Sequence, residues 1–185
     1  MTGLPLFSHI EVESAQETAL FYRERLLGLL SGDLDFHDQD SLYASHNFHA
    51  FPAKFPPQLP RVFINTLTRP GDLVLDPMMG SGTTIVEALL AGRCGLGCDI
   101  DPLALRISGV KTTPLGVEML AQIGAGVIER ARASIKNSYD ELRQSLPHLW
   151  DKRTYEFVNY WFAPETQIEL LALITAIQKI EDPQY

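Results

Sequence analysis

The sequence predicts an α/β protein in which parallel strands are joined by crossover helices. Two short apolar runs, Leu73–Leu75 and Cys94–Cys98, have the length of buried strands, and a segment with helical period follows each of them. Because parallel strands need a long connection, usually a helix, this alternation indicates a parallel pair. Helical patterns before and after the pair predict additional helices at both ends of the chain.

The predicted core lies between residues 45 and 114. Its first part, residues 48–60, contains four prolines, which forbid a long helix. A short helix is then expected from about Gln58 to Thr68. The remaining core elements, in order, are the strand Leu73–Leu75, the helix Thr83–Ala91, the strand Cys94–Cys98 and the helix Pro102–Val110 with Asp101 as its N-cap.

Helical segments flank this core on both sides. Residues 1–44 form an N-terminal helical segment, in which Ala15–Leu30 is expected to be an amphipathic packing helix and residues 33–40 an acidic loop. Residues 115–185 form a mainly helical extension. Its parts are a long helix over Gly116–Leu146, an ambiguous aromatic stretch over Tyr155–Phe162 and a helix over Pro164–Ile180.

The composition of the 185 residues excludes several classes of protein. With 45% hydrophobic residues and a formal charge of −8, the chain is neither disordered nor collagen-like. No apolar run approaches the roughly 18 residues that a membrane helix needs. The charges among the first twenty residues are acidic only, so no secretion signal is expected and the predicted location is the cytoplasm.

Cys94 and Cys98 share one face of a predicted strand. Residues four apart in a strand are separated by about 13 Å, which is too far for a disulfide. The two cysteines are therefore expected to be reduced, small apolar residues of the core, and no metal site is predicted.

Charge is unevenly distributed along the chain. Residues 1–40 carry eight acids and two bases, whereas residues 41–71 carry Lys54, Arg61 and Arg69 and no acid. A polyanion is expected to approach the second segment. The net negative charge argues against a lone nucleic-acid-binding module, which needs clustered Lys and Arg.

The stretch that carries chemistry runs from Asp76 to Thr84 and reads Asp-Pro-Met-Met-Gly-Ser-Gly-Thr-Thr. Gly80 and Gly82 allow the backbone to approach a ligand, and the helix that begins at Thr83 directs free N–H groups and hydroxyls toward it. The stretch lacks the lysine of a nucleotide P-loop and the third glycine of a dinucleotide fingerprint. It is predicted to be a cofactor cradle, the alternative being a tight strand-to-helix turn.

Asp99 ends the second strand 17 residues beyond Gly82. An acid at about this place accepts hydrogen bonds from a ribose diol in dinucleotide-type units. Together with Asp76 and the hydroxyl-bearing helix start, it suits a ligand with an amino-acid end and a ribose end, such as S-adenosylmethionine. In the alternative interpretation, Asp76 and Asp99 only cap turns.

The segments His46–Leu59, Asp76–Thr84 and Gly97–Pro102 resemble those of the amino-group DNA methyltransferases, which modify cytosine N4 or adenine N6. The first is similar to the family's segment that closes over the methionine end of the cofactor. The second is similar to the cofactor-binding loop. The third is similar to the second-strand motif, whose acid, here Asp99, binds ribose and whose next residue, here Ile100, touches adenine.

The resemblance implies a partial Rossmann-like methyltransferase fold with S-adenosylmethionine as cofactor, bound within residues 45–114. Lys54 or its backbone neighbours are expected to meet the cofactor carboxylate. The implied cofactor-binding residues are Phe51, Lys54, Asp76, Gly80, Ser81, Gly82, Thr83, Thr84, Asp99 and Ile100.

The family's second motif, Asp/Asn/Ser-Pro-Pro-aromatic, does not occur in the sequence, so no catalytic residue is assigned. Asp182–Tyr185 imitates it, but Gln184 replaces the second proline and the helical run Leu170–Ile180 precedes it. The chain is therefore expected to be the cofactor-binding portion of a longer DNA methyltransferase and inactive alone. A missing C-terminal half or a second chain would supply the catalytic motif.

Two other functions stay open on the sequence alone. One is an RNA or tRNA methyltransferase of the same fold, because Glu87-Ala88 after the loop also resembles tRNA guanine methyltransferases. The other is a non-catalytic subunit that has kept the fold, because the catalytic motif is missing.

Overall fold

The structure, a computed structural model, describes residues 15–52 and 54–180. It divides into two compact units, Met1–Pro114 and Leu115–Tyr185. None of the helices within the described ranges combines the length and the apolar character needed to span a bilayer.

The first unit has the α/β order predicted from the sequence. Its elements are α1 (Ala15–Leu30), α2 (Gln58–Leu67), β1 (Leu73–Asp76), α3 (Thr83–Leu90), β2 (Cys94–Gly97) and α4 (Pro102–Thr112). The helix and strand predictions are confirmed, with ends that differ by two residues or fewer. Asp101 caps α4 as expected, since its side chain accepts a hydrogen bond from the N–H of Leu103 at 2.8 Å.

Strands β1 and β2 form a parallel two-stranded sheet, which confirms the predicted pairing. Leu73 lies opposite Cys94 and Leu75 opposite Leu96, so these four side chains share one face. The crossover helix α3 packs against both strands on the other face.

Glycines in β2 permit the close approach of α3. A methyl group added at Gly95 would lie 2.7 Å from Cγ2 of Ile85, and one added at Gly97 would lie 3.2 Å from Cβ of Met79. Both distances are below ordinary van der Waals contact. The alternation of glycine with larger residues in Cys-Gly-Leu-Gly-Cys therefore places the small residues under α3.

The opposite face of the sheet is exposed. Leu73, Leu75 and Leu96 are 63%, 59% and 50% exposed, and Cys94 and Cys98 are free and exposed. The prediction that the cysteines are reduced agrees with this arrangement, but the prediction that they belong to the core was wrong. Their side chains point away from α3, and no described residue of the first unit buries that face.

Helix α1 has the predicted ends but not the predicted packing. Its leucines at positions 20, 27 and 30 are more than half exposed. A hydrogen bond from Nη1 of Arg25 to the carbonyl of Thr66, 2.6 Å long, connects it to α2. The amphipathic pattern predicted a packed apolar face, and for these three leucines that prediction was wrong.

The second unit is helical, with α5 (Val117–Ser145), a 3₁₀ turn (Leu146–His148), α6 (Lys152–Trp161) and α7 (Pro164–Ile177). The ambiguous aromatic stretch falls in α6, which Asp151 caps through the N–H groups of Arg153 and Thr154. Ser138, with φ −135° and ψ 32°, interrupts the helical geometry of α5.

Small residues form the core of the second unit. Val127 and Ala131 of α5 pack with Ala172 and Ala176 of α7. Helix α7 ends at Ile177, three residues before the predicted end. The tetrapeptide Asp182–Tyr185 lies outside the described residues.

Candidate functional site

The loop that joins β1 to α3 folds back onto the end of β2. The N–H of Met79 donates to the carbonyl of Cys98 at 3.0 Å, and the N–H of Gly82 donates to the carbonyl of Met79 at 2.8 Å. Within the loop, Oδ1 of Asp76 accepts from the N–H of Met78 at 3.1 Å. The loop therefore lies at the carboxyl edge of the sheet, where ligands of open α/β sheets bind.

Two positions in the loop require glycine. Gly80 and Gly82 have φ angles of 51° and 77°, in the left-handed region that residues with a Cβ rarely adopt. A methyl group at Gly82 would also lie 2.9 Å from Cβ of Ser108 on α4. One at Gly80 would lie 3.4 Å from Cε1 of Phe51. The glycines thus permit both the turn and the close approach of its neighbours.

Asp99 holds the loop in place. Its Oδ2 accepts from the N–H of Gly80 at 2.8 Å, and its Oδ1 accepts from the N–H of Asp101 at 2.9 Å. These backbone hydrogen bonds, the one from Asp101 first, hold the pKa of Asp99 below its ordinary value, so the group is ionised at neutral pH. Because a carboxylate has about four acceptor positions, Asp99 keeps capacity for further donors.

The start of α3 has free donor capacity. Gly82 occupies its N-cap position and no side chain of the described residues caps the first turn, where backbone N–H groups lack helical partners. Ser81 and Thr83 are buried and Thr84 is half-buried. The hydroxyls of Ser81 and Thr83 are therefore not exposed to solvent, and the free donors at this helix start are backbone N–H groups.

The segment that precedes α2 covers one side of the loop. The half-buried ring of Phe51 lies over Gly80. Lys54 is exposed, and its Nζ donates to the carbonyl of His46 at 2.9 Å. Ile100 is 99% exposed, beyond the end of β2. The structure thus brings Phe51, Gly80 and Asp99 together, whereas the side chains of Lys54 and Ile100 are exposed.

A second lysine, which sequence reasoning missed, lies next to the loop. Nζ of Lys111, on α4, donates to the carbonyl of Ser81 at 2.8 Å. Burial, and then the charge of Lys54, lower the pKa of Lys111. The two ammonium groups are therefore near enough to repel each other, and they make this side of the loop positive.

A buried glutamate connects α3 to the segment that precedes α2. We call this segment, which includes Tyr43, His46 and Phe51, the covering segment. Glu87 is 1% exposed and accepts from Nε2 of His46 at 2.8 Å, from the hydroxyl of Tyr43 at 2.7 Å and from Nε of Arg61 at 3.0 Å. Burial alone would raise the pKa of Glu87, but these partners outweigh it and leave the pKa lowered. Burial and the bond to Glu87 raise the pKa of Tyr43 to about 12.

We call Glu87, His46, Tyr43 and Arg61 the Glu87 cluster. Sequence reasoning did not find it, although one signal was present. Glu87 is the single charge in the helix Thr-Thr-Ile-Val-Glu-Ala-Leu-Leu, and a charge on an otherwise apolar helix that packs on a sheet requires partners.

Comparisons with known proteins identify similar methyltransferases. Residues 33–109 match the family model described as DNA methylase. The Type II methyltransferase M.MjaII of Methanocaldococcus jannaschii is 30% identical over 139 residues, which cover 71% of this chain and 26% of the relative. The Type II methyltransferase M.MvaI of Kocuria varians is 31% identical over 153 residues, or 80% and 33%.

A shorter match involves a different kind of methyltransferase. The tRNA (guanine(10)-N2)-dimethyltransferase of M. jannaschii is 36% identical over 70 residues, which cover 37% of this chain and 19% of the relative. No solved structure matches the chain. The chain spans about a quarter to a third of the length of the two Type II relatives.

The residues that match the family model contain a strand, a glycine loop and a helix at the carboxyl edge of a parallel pair, with an acid after the second strand. Over residues 33–109, the chain is similar to the N6 and N4 DNA methylases.

Proposed function

We propose that the first unit binds S-adenosylmethionine at the loop between β1 and α3. The observation that carries the proposal is the bond between Gly80 and Asp99, which sets a carboxylate with spare acceptor positions beside an uncapped helix start. Such a pair suits a ligand with ribose hydroxyls at one end and a carboxylate at the other. The cofactor would supply a methyl group activated by a positively charged sulfur.

Each part of the proposed site has a distinct role. Asp99 accepts from the ribose hydroxyls, Ile100 contacts adenine, and Phe51 covers the loop beside Gly80. Lys54, which has two donor hydrogens beyond its bond to His46, meets the carboxylate from the positive side of the loop. The complete set is Phe51, Lys54, Asp76, Gly80, Ser81, Gly82, Thr83, Thr84, Asp99 and Ile100.

Calorimetric titration with S-adenosylhomocysteine tests this assignment. Asp99→Ala removes the hydroxyl acceptor, and we expect it to weaken binding at least tenfold, the effect of losing one charge-assisted hydrogen bond. Asp101→Ala is the matched control, because it removes the neighbouring carboxylate that caps α4. Equal affinities for the wild type and Asp99→Ala would refute the role of Asp99, and circular dichroism would show whether each variant keeps its helices.

We further propose that the chain is the cofactor-binding part of a partial Rossmann-like fold and that DNA is the substrate of the complete enzyme. Support for DNA comes from the matched family and from the two Type II relatives. The tRNA methyltransferase match keeps an RNA substrate as the second candidate. The chain has no Asp/Asn/Ser-Pro-Pro-aromatic motif, so a further polypeptide would supply the groups that hold the target amine.

We therefore expect the purified 185-residue chain alone to transfer no methyl group to unmethylated DNA or to tRNA. Methyl transfer requires the acceptor nitrogen to be held about 3 Å from the methyl carbon, and the chain lacks the motif for that task. Incorporation of labelled methyl groups measures the outcome. Turnover on DNA that is abolished by Asp182→Ala would contradict the prediction, because it would give the terminal tetrapeptide a catalytic role.

A further inference from the structure

The ring of His46 connects the covering segment to α3. This side chain is 3% exposed, and its Nε2 lies 2.8 Å from Oε1 of Glu87, which is 1% exposed. The other ring nitrogen, Nδ1, is buried and has no hydrogen-bond partner among the described residues. Within this part of the chain, the bond to Glu87 is therefore the one hydrogen bond that fixes the ring.

The main chain of the same residue holds Lys54. Nζ of Lys54 donates to the carbonyl oxygen of His46 at 2.9 Å. The two residues are eight positions apart in the sequence, and Phe51, whose ring lies over Gly80, is one of the residues between them. The position of the Lys54 ammonium group therefore depends on the position of this carbonyl, and hence on the anchor of the His46 ring.

Lys54 needs this hydrogen bond because a like charge lies near it. Burial, and then the charge of Lys54, lower the pKa of Lys111, whose Nζ donates to the carbonyl of Ser81 in the loop between β1 and α3. Repulsion between the two ammonium groups favours rotation of the exposed Lys54 side chain into solvent. Conformational entropy favours the same rotation, because a long side chain has many rotamers in water. The bond to His46 opposes both effects.

We propose that His46, anchored by Glu87, is a positioning residue for cofactor binding. It holds the carbonyl that keeps the Lys54 ammonium group near the loop, where that group meets the carboxylate of the ligand. The proposal rests on the proposed function, because Lys54 has this role only when S-adenosylmethionine binds at the loop. It adds a residue outside the binding set given above, and its effect is confined to the carboxylate end of the ligand.

Two phenylalanine substitutions separate positioning from stability. His46→Phe and Tyr43→Phe each keep an aromatic ring and remove one hydrogen bond to the same oxygen of Glu87, 2.8 and 2.7 Å long. Tyr43→Phe is the matched control, because Lys54 donates to the main chain of His46 and not to that of Tyr43. In calorimetric titrations with S-adenosylhomocysteine, we expect His46→Phe to weaken binding about fivefold and Tyr43→Phe by less than about twofold. His46→Gln, which keeps an N–H donor, should restore most of the affinity.

A second ligand shows whether the effect involves the carboxylate. The decarboxylated analogue of S-adenosylhomocysteine lacks that group alone, so we expect the wild type and His46→Phe to bind it equally. A double-mutant cycle tests the same point on the protein. In the Lys54→Met background, we expect His46→Phe to cause no further loss of affinity for S-adenosylhomocysteine.

Three results would overturn the proposal: equal losses in His46→Phe and Tyr43→Phe, equal weakening of both ligands by His46→Phe, or a further loss in the Lys54→Met background. Circular dichroism verifies the fold of each variant, and His46→Leu replaces His46→Phe if the latter does not fold. If the wild type binds S-adenosylhomocysteine and His46→Phe binds it as tightly, this proposal alone fails. If the wild type binds neither ligand, the proposed function fails and this proposal fails with it.

Discussion

At the scale of single residues, Gly82 meets two demands at once. Its φ of 77° is left-handed, and α4 approaches so closely that a methyl group at this position would overlap Ser108. The sequence predicts the first demand, because a glycine between a strand and a helix is typical of a tight turn. It does not predict the second, since Ser108 lies in a different element.

A left-handed backbone costs a residue with a Cβ about 1–2 kcal/mol. We expect Gly82→Ala to lower the free energy of unfolding by more than this amount. Gly92→Ala is the matched control, because Gly92 has a φ of 72° and nothing within 4 Å of an added methyl group. Urea denaturation of both variants measures the difference. Equal losses would show that Ser108 moves aside freely.

Replacing Ser108 adds a second comparison to the same experiment. Ser108→Gly leaves the main chain of α4 as the nearest neighbour, at 3.3 Å from the added methyl group. We expect the double variant Gly82→Ala with Ser108→Gly to recover the part of the loss that exceeds the Gly92→Ala value, after correction for Ser108→Gly alone.

Other site residues also have some features that the sequence predicts and others that only the structure shows. Asp99 could be predicted from its distance to the glycine loop, because chain spacing fixes which residues end two adjacent strands. Its bond to Gly80 could not, because that depends on how the loop folds back onto β2. Lys111 was missed for a similar reason, since α4 brings it to Ser81 across 30 residues of sequence.

At the scale of elements, the Glu87 cluster determines how the covering segment sits on the first unit. Glu87 of α3 accepts hydrogen bonds from Tyr43 and His46 of that segment and from Arg61 of α2. Because the same segment carries Phe51 over Gly80, the cluster connects the stability of the unit to the geometry of the proposed cofactor site.

We expect Glu87→Gln to lower the free energy of unfolding at pH 7 by about 1.5–3 kcal/mol, the range for hydrogen bonds to a charged group. The pKa of Glu87 is lowered in the folded state from its ordinary value of 4.5. Its contribution is therefore fully present above that value and is lost as the pH falls through the lower folded pKa.

The difference in stability between the wild type and Glu87→Gln should accordingly narrow as the pH falls below about 4.5. Glu129→Gln is the control, because Glu129 is exposed on α5. Urea titrations between pH 7 and pH 3 measure both variants. A difference that stays constant with pH, or one shared by Glu129→Gln, would contradict the role of the buried charge.

The ends of the elements were predictable where local signals were strong. Pro102 after Asp101 and Pro164 after Ala163 mark helix starts, and both helices begin there. The aromatic stretch in α6 was ambiguous because aromatic residues are common in strands as well as in helices. The structure shows a helix there, and Asp151 caps its start. The burial of α1 could not be predicted, because it depends on which partner lies beside it.

At the scale of the whole molecule, the first unit combines a site at one edge of its sheet with an uncovered sheet face. The sequence predicted the parallel pair from the order of strands and helices. It could not predict that large side chains of the strands would be exposed. An apolar strand residue is expected to be buried, and only its neighbours in the folded structure show whether it is. The exposed leucines and cysteines follow from tertiary structure alone.

The most direct test of cofactor binding at the β1–α3 loop is a titration of the ¹⁵N-labelled chain with S-adenosylhomocysteine, followed by two-dimensional NMR. We expect the amide signals of Gly80, Ser81, Gly82, Thr83 and Asp99 to shift together and to saturate with a single dissociation constant. Shifts confined to the second unit, or none at saturating ligand, would contradict the account.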